Sequence, residues 1–124
     1  MEASVSEPIN LDAKLQRFSD HWAPKVIAEL NDYQLKLVKI VGEFVWHQHD
    51  DTDELFVCLS GEMWIEMPNR RVSLKAGELF VVPKGVRHKP RANEECAVLL
   101  IEPRDVTNTG DASSDRTAPN DQWI

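Results

Sequence analysis

Between Gly42 and Arg91, three histidines and one of the glutamates stand at spacings that a metal site can use: His47, His49, Glu54 and His88. Imidazole nitrogens with one carboxylate oxygen form a ligand set suited to Fe, Mn, Ni, Cu or Zn. His47 and His49 are separated by a single residue. In an extended strand alternate side chains share a face, so both imidazoles can reach one cation if this stretch is a strand. Four protein ligands on one side of an octahedral ion leave positions open for water or substrate. An open position separates a catalytic site from a closed structural one. A lone histidine is usually a surface or satisfied core residue; the spacing of all four residues is what points to a metal.

The surrounding chain has to supply that geometry. Glu43 to His49 is rich in aromatic and β-branched residues and follows a glycine, so it reads as a strand. His47 and His49 then share one face, and Phe44, Trp46 and Gln48 the other. Asp50 to Asp53 is a polar turn. Glu54 to Leu59 is a second strand that begins with the carboxylate. Asp53 is the competing ligand there, but a register that points Glu54 inward turns Asp53 away. Ser60-Gly61 reads as a hairpin turn into Met63 to Met67. Gly77 to Val82 is a further strand, Pro83 to Gly85 a tight loop, and His88 follows. A sheet that closes on itself brings His88 beside the earlier pair.

These residues resemble the two signature motifs of the cupin superfamily, and specifically its small single-domain, RmlC-like members. The first motif is matched by Gly42, His47, His49, Glu54 and Gly61, the second by Gly77, Pro83, Gly85 and His88. Gly42 lies one residue closer to His47 than is usual. The asparagine that closes the second motif is replaced by Ala92, with Asn93 one place later. The resemblance implies an all-β fold: an antiparallel double-stranded β-helix, or jelly-roll barrel, preceded here by a short N-terminal helix. It also implies one divalent transition metal per chain, held in the barrel mouth by His47, His49, Glu54 and His88. Small cupins commonly dimerise by sheet extension. With Phe44 and Trp46 read as outward-facing, a homodimer is expected.

Along the rest of the chain, Met1 to Pro8 reads as an arm. Asn10 can cap a helix over about Leu11 to Trp22, with Leu11, Leu15 and Phe18 on its apolar face. His21 reads as a surface histidine near its end, and Pro24 ends the element. Lys25 to Leu30 and Tyr33 to Val41 pair through a turn at Asn31-Asp32, with Tyr33, Leu35, Leu37 and Lys39 on one face. Arg71 to Lys75 is a half-exposed strand with Val72 and Leu74 inward. Leu79 to Val82 and Glu95 to Ile101 are apolar on both sides, which predicts that both faces are covered. The expected division is an arm and helix over 1–24, a barrel over 25–103 and a C-terminal segment over 104–124. That last segment is polar and loop-like, and its apolar end, Trp123-Ile124, is expected to dock on the barrel or a partner. A lid over the site is the sharper version of the same reading.

The chain has 124 residues and 42% hydrophobic content, enough for one domain with a single core. Its formal charge of −7 opposes nucleic-acid binding. No apolar run is long enough to cross a bilayer, and Met1 to Glu7 lacks the apolar core of a signal peptide, so a cytoplasmic protein without membrane or nucleic-acid partners is expected. Cys58 and Cys96 read as buried free thiols; Cys58 could also line the pocket floor. Two functions fit. One is a metalloenzyme on a small molecule, with dioxygenase or isomerase chemistry; the other is a non-catalytic small-molecule or metal sensor. A phosphosugar would call for cations, and Lys84, Arg87, Lys89 and Arg91 flank His88, although a solvated rim explains them as well. No catalytic residue is assigned; Glu43, Tyr33 and Glu66 are the candidates for proton transfer.

Overall fold

A computed structural model describes residues 7–124. Most of the expected arm, Met1 to Ser6, therefore lies outside the described residues. Asn10 accepts a hydrogen bond from the Ala13 amide at 2.9 Å and caps a helix, α1, over Leu11–Leu15. The helix is shorter than expected. It stops well before Trp22, which takes a left-handed backbone (φ 60°) and turns its indole into the core. There the indole nitrogen donates to the Val41 carbonyl at 2.9 Å. Burying the large ring outweighs extending the helix, whose own residues include none that is buried.

Seven antiparallel strands follow: β1 Lys25–Leu30, β2 Tyr33–Glu43, β3 Glu54–Ser60, β4 Glu62–Met67, β5 Arg70–Lys75, β6 Leu79–Val82 and β7 Lys89–Pro103. They pair in the order β1-β2-β7-β3-β6, while β4 pairs with β5 and with the first part of β7. The long β7 thus serves both halves of a jelly-roll barrel. Gly61, at φ 78°, makes the β3–β4 turn, and a Cβ there would sit only 3.0 Å from the Glu95 carbonyl oxygen.

Strand register decides what faces inward. Lys36, Leu100, Phe56 and Phe80 lie in one row across β2, β7, β3 and β6. Val38, Val98 and Cys58 form the next inward row. The outward rows are Leu35-Ile101-Leu55-Val81 and Leu37-Leu99-Val57-Leu79. The interior packs Trp22, Val38, Ile40, Phe44, Phe56, Met63, Ile65 and Val98 into one cluster.

Two sequence expectations fail here. Leu79 and Val81 are 60% and 45% exposed, so β6 is covered on one face only within the single chain. Phe44 is buried, not outward. It stacks on Trp22 with ring centroids 4.7 Å apart and meets the His47 ring edge-on at 5.3 Å. The reason is local: β2 is irregular between Ile40 and Gly42 and ends at Glu43, so strand alternation does not extend to Phe44. Trp46 does remain partly exposed.

Candidate metal centre

His47 and His88 face each other across an isolated antiparallel bridge. The His47 amide donates to the His88 carbonyl at 3.0 Å, and the His88 amide to the His47 carbonyl at 2.8 Å. A doubly bonded pair puts both side chains on the same side. Each ring is also fixed in tautomer. His47 Nδ1 donates to the Val45 carbonyl and His88 Nδ1 to the Val86 carbonyl, both at 2.9 Å. Both Nε2 atoms are thereby left for the interior.

Glu54, the first residue of β3, joins them from a strand whose inward positions continue with Phe56 and Cys58. Its Oε1 lies 3.1 Å from His88 Nε2 and 3.1 Å from His49 Nε2. The expected alternative, Asp53, points away and accepts from the Lys84 amide at 2.9 Å. One ligand atom from each of His47, His49, Glu54 and His88 lies within 4.8 Å of the others, and all four residues are buried.

The electrostatics follow from that burial. Desolvation, helped by neighbouring His88, lowers the His47 pKa to about 4, so the ring is neutral near pH 7. Burial works to raise Glu54, but the His49 and His88 imidazoles pressed against it outweigh that and hold the carboxyl low and ionised. Burial works to lower His49, and the Glu54 carboxylate overcomes it and raises it. Yet the His49 Nε2 to Glu54 contact is close without the direction of a hydrogen bond, and this buried nitrogen has no hydrogen-bond partner among the described residues. A buried polar atom left in that state calls for another partner. Two imidazoles locked with Nε2 inward, an orphan third Nε2 and an ionised carboxylate together match what a divalent transition ion requires.

Beside His47 and Glu54 lies a small cavity of about 30 Å³, walled by Val38, Ile40, Phe44, Phe56 and Met63. That is room for a molecule or two the size of water. On the other side, His49 opens onto a polar hollow of about 240 Å³ edged by Asp50, Asp51, Asp105 and Asp111. The C-terminal segment forms part of this wall. Asp111 clamps Gln48 from both sides: its amide donates to the Gln48 carbonyl at 3.0 Å and its carboxylate accepts from the Gln48 amide at 2.9 Å. Gly110 is wedged so closely that a Cβ would run into the Gln48 carbonyl oxygen. Asn108 reaches the apolar cavity and ties Trp22 to the segment through donations to the Trp22 and Arg116 carbonyls.

The segment's end docks by its backbone. Val26 donates to Gln122 at 2.6 Å and Ile124 donates to Val26 at 3.2 Å, while the Trp123 ring stays half exposed. None of the sequence candidates for proton transfer enters the site. Tyr33 is exposed at the start of β2. Glu43 and Glu66 both pair with Lys89 on the outside, and Glu66 with Arg91 as well. Lys84 and Arg87 are exposed, and Arg87, Lys89 and Arg91 each pair with carboxylates on the rim. Cys58 points inward, as alternation predicts, but deeper, with its sulfur 3.6 Å from that of Cys96. Both are buried free thiols. Sequence reasoning missed Lys36 and Glu102, a buried ion pair at 3.0 Å, because alternation with apolar neighbours says nothing of a charge turned inward.

An antiparallel jelly roll with a buried three-histidine, one-glutamate cluster in its interior defines a cupin. The Cupin_2 family model, described as a cupin domain, matches residues 37–102, and the chain belongs to that family. The crystal structure of a cupin-2 domain containing protein from Shewanella frigidimarina is 55% identical and superposes with a TM-score of 0.77 over 77% of this chain and 94% of its own. The Bacillus subtilis protein YdbB is 34% identical over 99 residues, which is 79% of this chain and 88% of YdbB. A 3-hydroxyanthranilate 3,4-dioxygenase of Paraburkholderia phytofirmans is 40% identical over 58 residues, covering 43% of this chain and only 33% of the dioxygenase. Among the described residues, no helix is long and apolar enough to cross a membrane.

Proposed function

We propose that this protein binds one divalent transition metal per chain on His47, His49, Glu54 and His88 and uses it in dioxygenase-type chemistry on an uncharged small molecule. The observation that carries the reading is the buried, unpartnered Nε2 of His49 among three further donors. When bound, such an ion would supply Lewis acidity and open coordination positions. The chain itself holds the imidazoles in the right tautomers, keeps Glu54 ionised and excludes bulk water from the apolar side.

Dioxygenase chemistry is preferred over isomerisation for two reasons. Isomerisation needs a general base at the substrate, and Glu43, Tyr33 and Glu66 all lie elsewhere. The apolar cavity next to His47 and Glu54 also suits a molecule the size of dioxygen. The partial sequence match to a dioxygenase adds support. The carboxylates around the polar hollow disfavour a phosphosugar, and with the charge of −7 they disfavour nucleic acid. A homodimer formed through the outer apolar rows of β2, β7, β3 and β6 belongs to the same proposal.

A second reading has one specific observation in its favour. The cavity is too small for an organic substrate, which fits a protein that senses metal without turnover. Oxygen uptake separates the two. Protein loaded with Fe(II) is expected to consume oxygen with some member of a panel of hydroxylated aromatics, and His49→Ala is not. Uptake no greater than that of His49→Ala across the panel would leave the sensor.

A further inference from the structure

Lys36 and Glu102 stand beside the cluster, and its ligand geometry does not account for them. Lys36 is 3% exposed and Glu102 1%. Lys36 Nζ donates to Glu102 Oε1 at 3.0 Å, whereas Oε2 of the same carboxyl is buried without a partner among the described residues. Buried ion pairs are poor stabilisers, since well-packed apolar residues often do as well or better. An unpartnered buried oxygen makes the arrangement worse still. Stability is therefore a weak reason for this pair to be where it is.

Its place in the register offers a better one. Leu55 faces Ile101 across β3 and β7, so Glu54 and Glu102 occupy the next position along the same two strands. Both side chains are buried on the inner side. Gln34 of β2 faces Glu102 from the other side, and Val82 of β6 faces Glu54, so three polar side chains and one valine share the row at this end of the barrel. Lys36 sits in the neighbouring row, opposite Leu100. Glu102 is thus in the same row as Glu54, and the cation that tempers it is one row away. Two carboxyls side by side in a dry interior repel unless positive charge offsets them. Lys36 supplies one such charge. A dication on the neighbouring cluster would supply the rest, and in a low-dielectric interior a charge at the next register position is felt with little screening.

We propose that Glu102 is a positioning residue for the metal: a second carboxylate, restrained by Lys36, that strengthens dication binding at His47, His49, Glu54 and His88 without being a ligand. The inference rests on the metal reading above and extends it to residues outside the ligand set.

The test is calorimetric titration of the full chain with Mn2+ at pH 8, above the value of about 7 to which burial and the neighbouring Glu54 push the Glu102 carboxyl, with circular dichroism to confirm folding. Glu102→Gln keeps the size and leaves an oxygen for Lys36, but removes the charge. Its Mn2+ affinity is expected to fall about ten- to hundredfold, the range typical of residues just outside a ligand shell. The double variant Lys36→Met with Glu102→Gln removes both charges and should bind more tightly than Glu102→Gln alone, yet more weakly than the unaltered chain. A merely structural role would change the melting temperature of the metal-free protein and leave affinity alone, so unchanged affinity in Glu102→Gln overturns the proposal. If that variant does not fold, the double variant decides, and affinity equal to that of the unaltered chain overturns the proposal. Failure of the metal reading looks different: the unaltered chain and His49→Ala would then bind Mn2+ alike.

Discussion

His47 and His88, far apart in the sequence, hold each other by two reciprocal backbone hydrogen bonds of 3.0 and 2.8 Å, and each ring is tied by Nδ1 to the carbonyl two residues before it. The two imidazoles are therefore oriented before any ligand arrives, and His49 and Glu54 complete the cluster around them. Most of the binding geometry is prepaid by the fold, which favours affinity.

The ligand set can be checked by elemental analysis. His49→Ala removes the unpartnered nitrogen and is expected to lose most of the bound metal, by more than the roughly hundredfold that outer-shell changes reach. The fold should survive, because His49 lies outside the strands. Full metal retention would disprove the assignment.

Metal removal should lower the melting temperature. An ion present at about a hundred times its dissociation constant adds about 2.7 kcal/mol to native stability, which corresponds to a shift on the order of 10 °C for a chain of this size. A metal-loaded sample whose melt is unmoved by chelator would contradict this.

The metal-free protein should lose stability in mild acid. His47 titrates near 6.5 when unfolded and near 4 when folded. Between those values the unfolded chain binds more protons, so stability is present above about 6.5 and declines as pH falls towards 4. The His47 shift corresponds to about 3 kcal/mol, partly offset by His49, whose raised value adds stability as pH falls. Glu54, held low in the folded state, adds a loss in the same direction below its ordinary value of 4.5. Denaturant midpoints at pH 7 and pH 4.5 measure the difference, and equal midpoints would rule it out.

The outward rows ending in Val81 and Leu79 give the dimer proposal a specific test. A charge placed on β6 by Leu79→Glu should convert the species seen by light scattering to monomer while the circular dichroism spectrum is kept. The unaltered chain running as a monomer would remove the proposal altogether.

Gly110→Ala probes the C-terminal clamp. The residue has φ 55°, and its added methyl meets the Gln48 carbonyl. The expected cost is about 1–3 kcal/mol, read as a lower melting temperature. An unchanged melt would mean that the segment moves aside without loss.

Much of this was legible before any coordinates, for reasons that differ by residue. The motif residues His47, His49, Glu54 and His88 do converge, because Glu54 has a strand register and His88 follows a turn marked by proline and glycine. Asn10 signalled its helix start correctly. What the sequence hid depends on tertiary context. Trp22 left its helix to bury an indole. Phe44 turned inward where β2 had already lost its regularity. Lys36 and Glu102 carried no signal in the alternation, and strand register with its long-range partners places them inside. The clamp at Gly110 and Asp111 follows from how the last segment crosses the barrel mouth, which composition alone does not encode.

The row formed by Gln34, Glu102, Glu54 and Val82 has a consequence for how the chain finds its shape. If β7 slipped by one residue against β3, Ile101 would take the place beside Glu54 and Glu102 would be stranded among the outer leucines and isoleucine, away from Lys36. Such a misaligned sheet would bury one lysine with no counter-charge, a far larger error than a mismatch between two aliphatic side chains. A buried pair that adds little to stability thus proofreads strand alignment.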